Sequence, residues 1–88
     1  MRIQREHGLG MDEARKRVAD IADELCSKYG LNATWSDDEL KINGSGIDCR
    51  IAVAEQSVDV KVKLGFALSM MSSVIRTSIE DALDKYLL

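Results

Sequence analysis

Three side chains in this sequence could do nucleophilic or metal chemistry: His7, Cys26 and Cys49. His7 is the single histidine, and its flanks, Glu6 and Gly8-Leu9-Gly10, predict an accessible ring at the mouth of the fold. Such a ring could act as a general base or as a pH-sensitive contact. No serine or cysteine stands at a motif spacing that would recruit it, so the residues imply no catalytic set. An enzyme built on His7 and one of the cysteines would need the ring and a sulfur to meet in the fold. A structural zinc site takes four ligands with tight paired spacing, and the sequence has no C-x-x-C pair. The expectation is therefore no metal and no cofactor, with Cys26 and Cys49 serving as small core hydrophobes.

Other short patterns resolve into turns. Gly44-Ser45-Gly46 lacks the lysine and the helix that follow a phosphate-binding loop, so it reads as a hairpin turn. Asp37-Asp38 reads the same way, because Asx side chains bond to nearby backbone. Lys41, Arg50, Lys61 and Lys63 fall in outward strand register, but Glu39, Asp48 and Asp59 share that face. The only aromatic residues are Trp35, Tyr29, Tyr86 and Phe66, most of them predicted inward, whereas an RNA-binding sheet exposes aromatics among basic neighbours. A solvated face of mixed charge is expected, with no nucleic acid partner.

The elements that must position these residues follow from periodicity. From Met11 to Tyr29, apolar residues recur at three- and four-residue steps (Ala14, Val18, Ile21, Ala22, Leu25), which predicts a helix with one apolar face. Gly30 is its expected stop. From Leu31 the period becomes two, and four segments alternate: Leu31 to Trp35, Leu40 to Ile42, Ile47 to Val53 and Val58 to Leu64. Their short connections predict an antiparallel meander with one buried face. The first seven residues predict a short strand anchored on Ile3. A second long helix is expected from Phe66 to Leu87, with Leu68, Met71, Ile75, Ile79, Ala82 and Tyr86 as its main stripe.

The order is β-α-β-β-β-β-α. The predicted class is α+β, a two-layer sandwich with both helices on one face of the antiparallel meander. Phe66, Met70, Val74, Leu83 and Leu87 make the last stripe wider than one sheet can cover. The surplus is either core or an adhesive contact surface, and sequence does not fix the rotation that decides between them.

Composition bounds the rest. The chain has 88 residues, 12 basic and 15 acidic, for a formal charge of −3, and 45% of it is hydrophobic. One α+β domain over residues 1–88 is expected, too apolar for disorder and without the basic footprint of a nucleic-acid or anionic-membrane binder. Charged residues occupy the place of a signal peptide's apolar stretch, and no apolar run is long enough to span a bilayer. The expected compartment is the cytoplasm, with both thiols reduced.

The N-terminal block Ile3-x-Arg5-x-His7-x-Leu9-Gly10, followed by Ala14-Arg15 and a helix leading into a tryptophan-bearing strand, resembles the polyhydroxyalkanoic acid system protein family. The turn Gly44-Ser45-Gly46, the Leu64-Gly65 junction and the closing helix with Ile79, Leu83 and Leu87 fit the same pattern. The connections between strands are shorter than expected of a typical member, which leaves less room for an added loop site.

The resemblance implies association with bacterial polyester storage granules or their proteins rather than a reaction, and it brings no catalytic residues with it. On that reading the protein is not an enzyme. Phe66, Met70 and Val74 are its candidate contact residues, and Arg5 with His7 forms a second, polar site. The alternative is a small binding module for an acyl or hydroxyacid compound, with a pocket between helices and sheet lined by Trp35 and the inward strand residues. A homodimer through a strand edge or the spare helix arc is a further expectation.

Overall fold

A computed structural model describes residues 1–87. Strand β1 (Arg2–Glu6) leads to helix α1 (Met11–Tyr29), and four strands follow: β2 (Asn32–Ser36), β3 (Glu39–Gly44), β4 (Ile47–Val53) and β5 (Ser57–Leu64). A 3₁₀ segment (Phe66–Met71) then precedes helix α2 (Ser72–Leu87). The sheet is antiparallel throughout, in the order β1-β5-β4-β3-β2. The α+β class and the meander are as expected. The first strand, which rested on Ile3 alone, pairs with β5 at the far edge and buries Ile3.

Alternation in β3, β4 and β5 sends Leu40, Ile42, Ile47, Cys49, Ile51, Val53, Val58, Val60 and Val62 into one apolar layer. Ala14, Val18, Ile21, Ala22 and Leu25 of α1 meet it from above, as do Ile75, Ile79, Ala82, Leu83 and Leu87 of α2. Among the described residues nothing is layered on the outer face of the sheet, so its side chains face solvent. β2 departs from the pattern. Its inward residue Trp35 is only half-buried, as is Leu31 just before the strand, and Ala33 is exposed, because β2 is the edge strand and the helix layer reaches it only in part.

The hairpin turns behave as their residues require. The register Gly44↔Ile47 leaves Ser45 and Gly46 as the two-residue loop, with φ of 51° and 83°. Positive φ at both positions matches the right-handed twist of the flanking strands. Asp37 opens the other two-residue loop at φ 54°, a conformation that aspartate tolerates better than most residues. Gly30 ends α1 in the left-handed conformation, its N–H donating to the Cys26 carbonyl.

One element differs from expectation. The helix expected from Phe66 is α-helical only from Ser72. The preceding six residues close i→i+3 bonds, starting with the Leu68 N–H to the Gly65 carbonyl at 3.0 Å. The Ser69 hydroxyl donates to the Phe66 carbonyl at 2.8 Å, local side-chain bonding of the kind that competes with an α-helix start. The tighter winding breaks the 3.6 period, and Met71, placed in the core stripe by that period, is exposed instead. Leu68 alone in the segment leans on the core.

Candidate functional site

The 3₁₀ segment stands at the end of the sheet where β5 runs out. The Gly65 N–H donates to the Gly46 carbonyl at 2.7 Å, which ties the segment to the β3–β4 turn. A side chain at Gly46 would meet Leu68 Cδ1 at 3.2 Å, so the turn and the segment are in close contact. Leu68 points inward at this junction, and the neighbouring apolar side chains turn out. Phe66 is 96% exposed, Met70 93%, Val74 58% and Met71 45%. They are the exposed large hydrophobic residues of the described chain. Phe66, Met70 and Val74, the expected contact residues, are all outside the core and lie within nine residues of one another along the chain. Met71 joins them, and the helical period concealed it.

Arg5 and His7 do not join this patch. Arg5 pairs with Val58 in the register, six residues before Leu64 along β5, so it lies roughly 20 Å from the 3₁₀ segment by strand rise. Its guanidinium reaches α2, with Nη2 at 3.3 Å from Glu80 Oε2 and Nε at 3.3 Å from Asp84 Oδ1. The His7 ring is bonded at both nitrogens: Nδ1 accepts from the Leu9 N–H at 3.0 Å and Nε2 stands 3.0 Å from the Ala54 carbonyl. With Nδ1 accepting, Nε2 carries the proton and donates it to Ala54. These two residues clamp β1 to α2 and the β1–α1 link to the β4–β5 turn.

The cysteines lie at the opposite end from His7. Cys49 is five residues from Ala54 along β4, on the order of 16 Å by strand rise. Cys26 is sixteen residues beyond Gly10 along α1, on the order of 24 Å by helix rise. The His7–cysteine pairing fails on that geometry. Burial pushes the Cys49 thiol up to about 12, with Asp48 adding to the effect, and burial raises the Cys26 thiol as well. Among the described residues no three His, Cys, Asp or Glu side chains gather where they could share a metal ion.

The space between helices and sheet is nearly closed. The apolar cavity there, lined by Leu25, Tyr29, Ile42, Cys49, Ile75 and Ile79 among others, measures about 10 Å³. That volume holds about one water at most and no acyl compound. Trp35 does not line it; the Arg15 guanidinium covers the indole ring 4.5 Å from its centroid and is itself held by Asp38 at 2.9 Å. The pocket expected for a binding module is filled by core side chains.

The family model described as "Putative polyhydroxyalkanoic acid system protein" matches residues 1–87. The chain belongs to this family. The match spans every described element, so the polyhydroxyalkanoic acid system family covers both the clamp at Arg5 and His7 and the apolar patch at Phe66. No curated protein and no solved structure matches the chain. No described helix is long and apolar enough to cross a membrane.

Proposed function

We propose that the protein is a non-enzymatic, cytoplasmic component of the polyhydroxyalkanoate system that adsorbs to the polyester granule through Phe66, Met70, Met71 and Val74. The observation that carries this reading is the near-complete exposure of Phe66 and Met70 on a segment whose neighbour Leu68 is packed inward. A core-only stripe would have turned these side chains toward the sheet. The polyester surface is apolar and unstructured, and methionine adapts to irregular partners. Burying Phe66 and Met70 is worth on the order of 3–6 kcal/mol, from about 1.5–3 kcal/mol for each side chain. That supports reversible adsorption rather than permanent anchorage.

Co-sedimentation with purified granules tests the reading. Wild-type protein is expected to pellet with granules, and a Phe66→Asp/Met70→Asp variant with an unchanged circular dichroism spectrum is expected to stay in the supernatant. Equal pelleting of the two proteins would sink the helix-surface mechanism. Light scattering over a range of concentrations separates granule adsorption from self-pairing: a dimer lost in the same variant would assign the patch to a second copy of the chain.

A further inference from the structure

The register of the outer sheet face aligns its basic residues in a way the sequence conceals. Arg2 of β1 stands opposite Lys61 of β5, Lys61 opposite Arg50 of β4, Arg50 opposite Lys41 of β3, and Lys41 opposite Thr34 of β2. Four cations thus form one row across four strands, a span of about 14 Å at the usual interstrand spacing. Like charges directly opposite each other on a sheet destabilise it. The acidic residues of this face lie in the rows on either side: Asp48 opposite Lys63 in one, Asp59 and Glu39 in the other.

Among the described residues, only the end of the row is ion-paired. Arg2 is held by Asp59 at 2.7 Å. Among the described residues, Lys41, Arg50, Lys61 and Lys63 make no ion pair and no side-chain hydrogen bond. Arg50 stands out, because every other arginine (Arg2, Arg5, Arg15, Arg17 and Arg76) is ion-paired. An open groove of about 180 Å³ lies against Arg50, Lys61, Lys63 and Asp48. Three cations against one carboxylate leave two positive charges in excess there.

We propose that this groove is a binding site for a compact polyanion of the phosphate class, held by Arg50 and Lys61 from adjacent strands, with Lys63 reached by a second phosphate group. A phosphate group offers oxygens enough to meet the Arg50 fork and the Lys61 ammonium together, whereas that fork occupies both oxygens of a carboxylate. Asp59 and Glu39 bound the positive strip on one side, and Asp48 beside Lys63 bounds it on the other. A broad anionic surface laid on this face would press against Asp48, Asp59 and Glu39, and a single-stranded nucleic acid finds no aromatic side chain here on which to stack its bases. The site is on the uncovered face of the sheet and is independent of the granule-binding patch.

Titration of the isotope-labelled protein with pyrophosphate at low ionic strength, followed by amide shifts, tests the proposal. Saturable shifts are expected in β4 and β5 around Arg50, Lys61 and Lys63. Arg50→Gln and Lys61→Gln should each weaken binding about tenfold, the equivalent of one charge-assisted hydrogen bond. Lys16→Gln, on the exposed face of α1, should leave binding unchanged. Without ligand, Lys61→Gln should melt above wild type, because an opposed like charge is gone, and this readout also establishes that the variant folds. Absence of saturable shifts, equal weakening by Lys16→Gln, tighter binding of citrate than of pyrophosphate, or tighter binding of an oligothymidylate would each overturn it.

Discussion

Cys49 faces the core between Ile42 and Val62, and its thiol is pushed up from an ordinary 9 to about 12, mainly by burial. In the unfolded chain the thiol loses its proton near its ordinary value, while in the folded protein it stays neutral. The stabilisation from the neutral thiol is therefore complete below about pH 9 and is lost as pH rises toward 12, by about 4 kcal/mol over the whole window. In urea unfolding followed from pH 8 to pH 11, the wild type should lose about 3 kcal/mol more than Cys49→Ala. Parallel pH curves for the two proteins would contradict this account. The pair Arg2–Asp59 acts in the opposite direction. Hydrogen bonding to Arg2 holds the Asp59 carboxyl below its usual range, so this pair's contribution is present at neutral pH and fades in acid. Its exposure keeps that contribution small.

Among the elements, the 3₁₀ segment is the one whose shape matters most for the proposed function, and Gly46 is its seat. Gly46 has φ of +83° and leaves a would-be Cβ 3.2 Å from Leu68 Cδ1, whereas Gly8 has φ of +62° with open space around it. Gly46→Ala should therefore lower stability by about 1–2 kcal/mol from backbone strain alone, with a further loss from displacing Leu68. Gly8→Ala should carry the backbone cost only. Hydrogen exchange should quicken over Phe66–Met71 in the Gly46 variant and not in the Gly8 variant; identical behaviour of the two would remove Leu68 from the explanation. The limits of sequence reading show in this segment. Strands β3 to β5 and helix α1 were legible because burial enforces their periods residue by residue. The 3₁₀ start was not legible, since Leu68 and Met71 fit a helical stripe equally well on paper. Only the Gly65–Gly46 tether and the Ser69 hydroxyl decide between the two windings.

For the whole molecule, the two ends of the sheet present different surfaces: exposed apolar side chains at one and the Arg5 and His7 contacts at the other. Alternation in the sequence placed Lys41, Arg50, Lys61 and Lys63 on the outer face, but it carried no information about which strand positions stand opposite each other. Their row emerges only from the register, just as the strand order emerges only from the pairing of β1 with β5. The same register separates the molecule's poles. Arg5, His7 and the Glu55–Gln56 turn lie at one pole, where the His7 N–H donates to the Gln56 carbonyl. The Ser45–Gly46 turn and the 3₁₀ segment lie at the other. The longest dimension of the molecule is 37 Å, large enough for one pole to touch a surface while the other stays in solvent. If adsorption runs through Phe66, Met70, Met71 and Val74, hydrogen exchange of granule-bound protein should slow over residues 65–75 and at the adjoining Ser45–Gly46 turn. Exchange at Glu55–Gln56 and Gly8 should match the free protein. Slowing at both poles would mean that the molecule lies flat on its partner, and slowing confined to the Glu55–Gln56 pole would reverse the assignment. In that last case the exposed apolar side chains would have to answer to a different partner.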